Sequence, residues 1–330
     1  MADPRWDIVG IGNAIVDVLA HANDDFIFRQ GMTKGAMNLI DAGRAELLYE
    51  ALGPAVEQSG GSMANTVAGL ASLGGRAAYI GKVAKDQLGD IFAHDLKSAG
   101  IYFPTARLVG GAPTARSFIV ITPDGQRTMN TYLGACVALT PEDVHADTVA
   151  GGRILYLEGY LWDPPAAKQA FLKAARIAHQ AKRLVALSLS DAFCVARHHD
   201  SFLDLVHNHV DILFANEAEI TALYRTKSFE EALKVVRGLG KTAALTRSEK
   251  GSVVLNGDEV HVIQAAPVDK VVDTTGAGDL YASGFLYGLT HNLGLKRAGE
   301  IASIAAAEVI SHVGPRPQVR LADLIKERAA

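Results

Sequence analysis

The stretch Ile212-Leu213-Phe214-Ala215-Asn216-Glu217-Ala218-Glu219-Ile220-Thr221-Ala222-Leu223 decides the fold. An apolar run of strand length passes through Asn216 into a helical segment, Glu217–Leu223. The same unit recurs on both sides of it. Ile154–Leu157, Leu184–Ser188, Ala243–Thr246 and Ser252–Leu255 read as strands, with Ala166–Ala181 and Phe229–Gly238 as helices among them. Toward the N-terminus, Ile8–Ile11 and Ala77–Ile80 are strands and Met63–Leu73 is a helix. Asp41 caps a helix reaching Leu52, and Asp86 caps one that runs to Ala99, with Gly100 as its C′ glycine. Strands alternating with helices pair in parallel and are covered on both faces. The expectation is an α/β fold with a doubly wound, mostly parallel sheet.

Two regions leave this pattern. Ile15–His21 reads as a strand with no helix between it and the strand Ala36–Ile40, while Ser117–Thr122 and Arg127–Tyr132 flank the turn Pro123-Asp124-Gly125-Gln126. They predict a small β-sheet lid, discontinuous in sequence, from 15–40 and 110–135. The large α/β domain then takes 1–14, 41–109 and 136–330.

Composition narrows the class. The 330 residues carry 32 Lys and Arg against 36 Asp and Glu, a net charge of −4, which excludes the basic balance of a dedicated nucleic-acid binder or a polybasic membrane anchor. With 49% hydrophobic residues, the chain can bury a sizeable core. Cys136 and Cys194 stand alone without metal-finger spacing, and neither an export leader nor a membrane span is read. The expectation is a cytoplasmic protein, monomer or homodimer, acting on a small molecule.

Chemistry concentrates in Asp273-Thr274-Thr275-Gly276-Ala277-Gly278-Asp279, ahead of the helical Leu280–Leu289. Glycines at a helix start let an anion approach free backbone amides, and the helix dipole favours negative charge there. A carboxylate at Asp279 repels that same anion. It is tolerable as a base that takes a proton from a hydroxyl attacking phosphorus, or else it is an ordinary first-turn Asp favoured by the dipole.

That stretch resembles the second signature of the ribokinase-like family, the PfkB sugar and nucleoside kinases. The first signature is matched by Gly60-Gly61-Ser62-Met63-Ala64-Asn65-Thr66 running through Leu73-Gly74-Gly75, and N-x-x-E by Asn216-Glu217-Ala218-Glu219. With an early Asp, the ordered motifs cover nearly the whole chain. The resemblance implies a doubly wound domain with a β-lid and ATP- and Mg²⁺-dependent phosphoryl transfer. It gives Gly276, Ala277 and Gly278 the role of anion hole and Asp279 that of catalytic base. Asn216 and Glu219 would organise Mg²⁺, largely through water, although as isolated residues they read as a helix cap and an exposed Glu. Thr246 and Gly251 of Thr246–Gly251, Thr275, and His312 in the segment before Pro317 would line the nucleotide. The backbone of Asp273 and Thr275 would border a potassium site.

For the acceptor, the resemblance assigns Asp17 of Gly12-Asn13-Ala14-Ile15-Val16-Asp17 to two sugar hydroxyls, Gly60 and Gly61 to close approach and a hinge, and Asn65 to another hydroxyl. Without the resemblance, Asp17 is also compatible with a solvated edge-strand residue. Asn13 with Asp17, and the stretch Gln126–Ala135, look more like the adenosine-kinase branch than the ribokinase branch. Met37, Met129, Leu133, Tyr160 and Leu161 are candidates to cover a purine, and equally candidates for lid core. Arg127 would reach the transferring phosphate on closure, or remain a solvated hairpin residue. The expected reaction is γ-phosphate transfer from ATP to the 5′-hydroxyl of a purine nucleoside, adenosine first. The alternatives are a sugar such as ribose or fructose, and a non-catalytic nucleoside sensor. Gly10-Ile11-Gly12 is not a dinucleotide fingerprint, because Ile15 holds the third glycine position and a strand follows. The histidines, His198-His199 among them, lack zinc-ligand spacing.

Overall fold

A computed structural model describes residues 3–328. Among the described residues, thirteen strands form two sheets: β1 (Trp6–Ile11), β2 (Ile15–His21), β3 (Met37–Leu39), β4 (Ala55–Gly60), β5 (Ala77–Ile80), β6 (Ala115–Ile121), β7 (Arg127–Tyr132), β8 (Gly152–Glu158), β9 (Leu184–Ser188), β10 (Ile212–Asn216), β11 (Thr242–Thr246), β12 (Ser252–Asn256) and β13 (Glu259–Ile263). The eight-stranded sheet has the order β13-β12-β11-β10-β9-β8-β1-β5. It is parallel from β11 to β5, and β12 and β13 add an antiparallel edge. Apolar cores lie on both of its faces. One packs the alanine-rich face of the helix Pro165–Gln180, and the other packs the helices Ser62–Ser72 and Ala277–Thr290. The middles of the central strands are buried because both faces are covered.

Strand order fixes where a ligand can sit. From β1 the chain goes outward to β5, and from β8 it proceeds the other way through β9, β10 and β11. Diverging connections leave a crevice beyond the carboxyl ends of β1 and β8, the place where open α/β sheets bind ligands.

The second sheet has five strands in the order β3-β7-β6-β2-β4. It takes in β4, which sequence reading left with the large domain. Ala55, Val56 and Glu57 of this edge strand are exposed or half-buried, so no core alternation marks it. A second correction is the helix Asp24–Arg29, where none was expected. Asn23 caps it, and its side chain accepts a hydrogen bond from the Phe26 amide at 3.0 Å. With six residues and only Ile27 buried, it is too short to show a period. Elsewhere the predicted caps hold. Asp41 accepts from the Arg44 amide and Asp86 from the Gly89 amide, each at 2.8 Å.

Candidate active site

A cleft of about 710 Å³ lies between the carboxyl ends of the large sheet and the face of the small one. Its floor includes the helix start at Thr274–Asp279, all of which borders the cleft. Gly276 is the N-cap residue of the helix Ala277–Thr290, with φ 81°, a left-handed conformation that glycine adopts without strain. First-turn amides of a helix have no partner within it, so this floor presents donors and partial positive charge, although the Ala277 amide donates to the Thr274 carbonyl at 3.2 Å.

Asp279 stands in that turn. One carboxylate oxygen accepts from Ser62 Oγ at 2.6 Å and the other from Asn65 Nδ2 at 3.0 Å. Burial raises its pKa, and the bonds from Ser62 and Asn65 and the charge of Arg316 oppose the rise. Each oxygen keeps a further lone pair for a substrate hydroxyl. Both donors belong to the helix Ser62–Ser72, which starts at Gly61 with φ 89°. A Cβ on Gly61 would come within 2.4 Å of the Asn13 carbonyl oxygen, and one on Gly60 within 2.2 Å of Asp17 Oδ2. The glycine pair therefore makes room for the protein's own acceptor-side groups. Gly61 borders the cleft and Gly60 does not.

Asp17 is buried on the cleft wall, with its pKa pushed up to about 7. Desolvation is the main cause, Arg316 and Arg127 act against it, and Asp279 adds to it. Asn13 borders the cleft where β1 ends, and a residue that sequence reading missed holds it there. Glu158, at the end of β8, accepts from the Asn13 amide at 3.2 Å, Asn13 Nδ2 at 2.9 Å and the Met63 amide at 2.8 Å. It is 1% exposed, and burial lifts its pKa to about 7 against these three donors. The available signal was a carboxylate closing the apolar run Ile154–Leu157, since a buried charge must have partners. Ser62 and Arg316 were also missed.

The other predicted positions divide. Met37, Met129, Leu133 and Tyr160 border the cleft, whereas Leu161 packs into the main core. Thr246, Thr275, Asn216 and Glu219 border it, and Gly251 and His312 do not. Gly251 closes the turn from β11 to β12, and His312 pairs with Glu308 at 3.1 Å. Asn216 and Glu219 form a reciprocal capping box. The Asn216 side chain accepts from the Glu219 amide at 2.8 Å, and Glu219 accepts from the Asn216 amide at 2.9 Å and from Asn216 Nδ2 at 2.6 Å. Glu219 is buried, not on an exposed face, and its pKa rises to about 7. Arg127 is half-buried and does not itself border the cleft. It pairs with Asp273 at 2.8 Å and donates to Thr275 Oγ1 at 3.2 Å, tying the small sheet to the loop before the helix start. Asp273 is otherwise held by the Thr275 amide and hydroxyl and by the Gly314 amide.

Known proteins are similar to this chain in sequence and fold. Residues 41–320 match the family model described as pfkB family carbohydrate kinase. The adenosine kinase of Saccharomyces cerevisiae is 26% identical over 93% of this chain and 96% of its own length. Among solved structures, an adenosine kinase from Sinorhizobium meliloti is 55% identical, with a TM-score of 0.91 over 99% of this chain and all of that one. A probable sugar kinase protein from Rhizobium etli is 54% identical, with a TM-score of 0.92 over 99% of both chains. No helix among the described residues is long and apolar enough to cross a membrane.

Proposed function

The chain belongs to the pfkB family of carbohydrate kinases, and from that premise we propose that it transfers the γ-phosphate of ATP to the 5′-hydroxyl of a purine nucleoside, adenosine first. One observation carries the chemistry. The Asp279 carboxylate, held by Ser62 and Asn65, stands in the first turn of a helix that opens on the cleft, with Asp17 also on the wall. With two sugar hydroxyls held by Asp17 and another by Asn65, the 5′-hydroxyl loses its proton to Asp279 as it attacks. The amides of Gly276 and Gly278 receive the charge that spreads over the migrating phosphoryl oxygens, and that of Ala277, which donates to the Thr274 carbonyl at 3.2 Å, joins them by turning from it. Burial raises the basicity of Asp279 above that of an ordinary Asp, which suits proton transfer.

Met37, Met129, Leu133 and Tyr160 supply an apolar lining suited to a flat heterocycle, a surface that a bare sugar would not use. The adenosine kinases among the relatives support this reading. Asn216, Thr246 and Thr275 face the nucleotide. Mg²⁺ would neutralise phosphate charge when bound. Both Glu219 oxygens already accept from Asn216, which fits a carboxylate that orients metal-bound water and not one that binds the ion directly. We place the reaction in the cytoplasm, where the free buried Cys136 and Cys194 stay reduced.

A coupled ADP-release assay across adenosine, inosine, guanosine, ribose, fructose and fructose phosphate tests the proposal. The highest kcat/KM is expected with adenosine. A higher value with ribose or fructose would move the chain to the sugar kinases, and binding without turnover would make it a sensor.

A further inference from the structure

Arg316 lies behind the cleft wall, in the loop after the helix Leu295–Val309, and its contacts converge on the acceptor side. Nε donates to Asn65 Oδ1 at 3.2 Å and Nη2 to Ser59 Oγ at 2.9 Å. Ser59 immediately precedes Gly60-Gly61, and its amide donates to Asp95 at 2.7 Å. Asn65 in turn donates to Asp279 at 3.0 Å. A guanidinium only donates and an ionised carboxylate only accepts, so the amide between them has one permitted orientation, oxygen toward Arg316 and nitrogen toward Asp279.

We propose that Arg316 is a positioning residue for phosphoryl transfer, fixing the Asn65 amide so that it donates to Asp279 and bracing the strand end that enters the glycine pair. This rests on the kinase reading above. The charged and titratable groups facing the guanidinium are Asp17 on β2, Asp95 on the helix Gln87–Ser98, Tyr79 on β5 and Asp279 on the helix Ala277–Thr290. Burial drives the Arg316 pKa down, and these groups hold it up. Its charge in turn favours the ionised forms of both Asp17 and Asp279, against the burial that raises them. A neutral side chain there would lose two things together. Asn65 would be free to turn its oxygen toward Asp279, and the pair of carboxylates would lose a nearby compensating cation.

The test uses the full chain with ATP and adenosine, comparing wild type, Arg316→Gln, Arg316→Lys, Asn65→Ala and the Arg316→Gln/Asn65→Ala double variant across about pH 5 to 9. Arg316→Gln is expected to lower kcat/KM for the acceptor about 10- to 100-fold, the worth of a hydrogen bond to a charged group. Its acid limb should move up by about one pH unit while the KM for ATP stays put. Arg316→Lys keeps the charge but loses the two-pronged fork. Its acid limb should remain at the wild-type position with kcat/KM about 10-fold down. The double variant should lose little more than the worse single one, since both act through the same amide. Wild-type kcat/KM and pH profile in folded Arg316→Gln, or additive losses in the double variant, would overturn the proposal. If Arg316→Gln does not fold, Arg316→Lys decides, and wild-type kcat/KM there overturns it equally. A wild-type chain inactive on every acceptor would instead refute the kinase reading itself.

Discussion

The two walls of the cleft are built by different means. On the acceptor wall, buried charged side chains bridge distant parts of the chain. Glu158 reaches Asn13 across 145 residues and Met63 across 95, Asn65 reaches Asp279 across 214, and Arg316 reaches Asn65 across 251. On the donor wall, Asn216 and Glu219 satisfy each other three residues apart. The first arrangement positions groups only once the whole domain has assembled. The second is a property of one helix end and survives local changes. The acceptor wall should therefore lose function steeply when a single side chain changes, and the donor wall gradually.

Asp279→Asn should have the largest effect. We expect kcat to fall by on the order of 10²–10⁴, the usual loss for a positioned base, with the KM for ATP little changed. Steady-state kinetics on the purified variant would show it, and near-normal turnover would remove the base assignment. Arg127→Met cuts the tie between the small sheet and the loop at Asp273, leaving a buried carboxylate without its cation. Chemical denaturation should register about 3 kcal/mol of lost stability. An unchanged midpoint would mean that the Thr275 and Gly314 donors suffice.

Asp17 sharpens the comparison through pH. Its folded pKa, about 7, lies above the ordinary Asp value, so the folded chain takes up that proton first. The resulting stabilisation is fully present below about pH 4 and is lost as pH rises through 7, a contribution on the order of 1–3 kcal/mol. Melts of ligand-free protein should show this decline, and Asp17→Asn should flatten it while raising the acceptor KM. An equally steep decline in the variant would assign the titration to Glu158 or Glu219. The smallest effect belongs to Asn216→Ala. Losing a cap costs about 1 kcal/mol, with a modest rise in the KM for ATP and none in that for the acceptor. A collapse of acceptor binding would erase the distinction between the walls.

This contrast also decides what could be read from the chain. The main sheet was legible because apolar runs such as Ile212–Ala215 alternate with capped helices, and Asp41 and Asp86 announce their helix starts locally. The motif at Asp273–Asp279 was legible because a helix start with two glycines carries its chemistry in seven adjacent residues. Glu158 and Arg316 were not, since nothing adjacent to either names its partner. The strand Ala55–Gly60 was missed for a related reason, because its first four residues are exposed or half-buried and show no period. The Thr246–Gly251 segment and His312 show the converse. The pattern is present, yet Gly251 serves a turn and His312 a neighbouring Glu.

The route of the chain through the small sheet bears on how the protein comes to be folded. β2 lies between β4 and β6, with Ile15 opposite both Gly60 and Ala115, so three separate excursions must be gathered before the sheet exists. Closing such long loops costs entropy that local contacts cannot repay. The layer that covers the cleft is expected to assemble last, on a main sheet already in place. Pulse-labelled hydrogen exchange during refolding should find the β2 and β6 amides protected after those of β8 to β11.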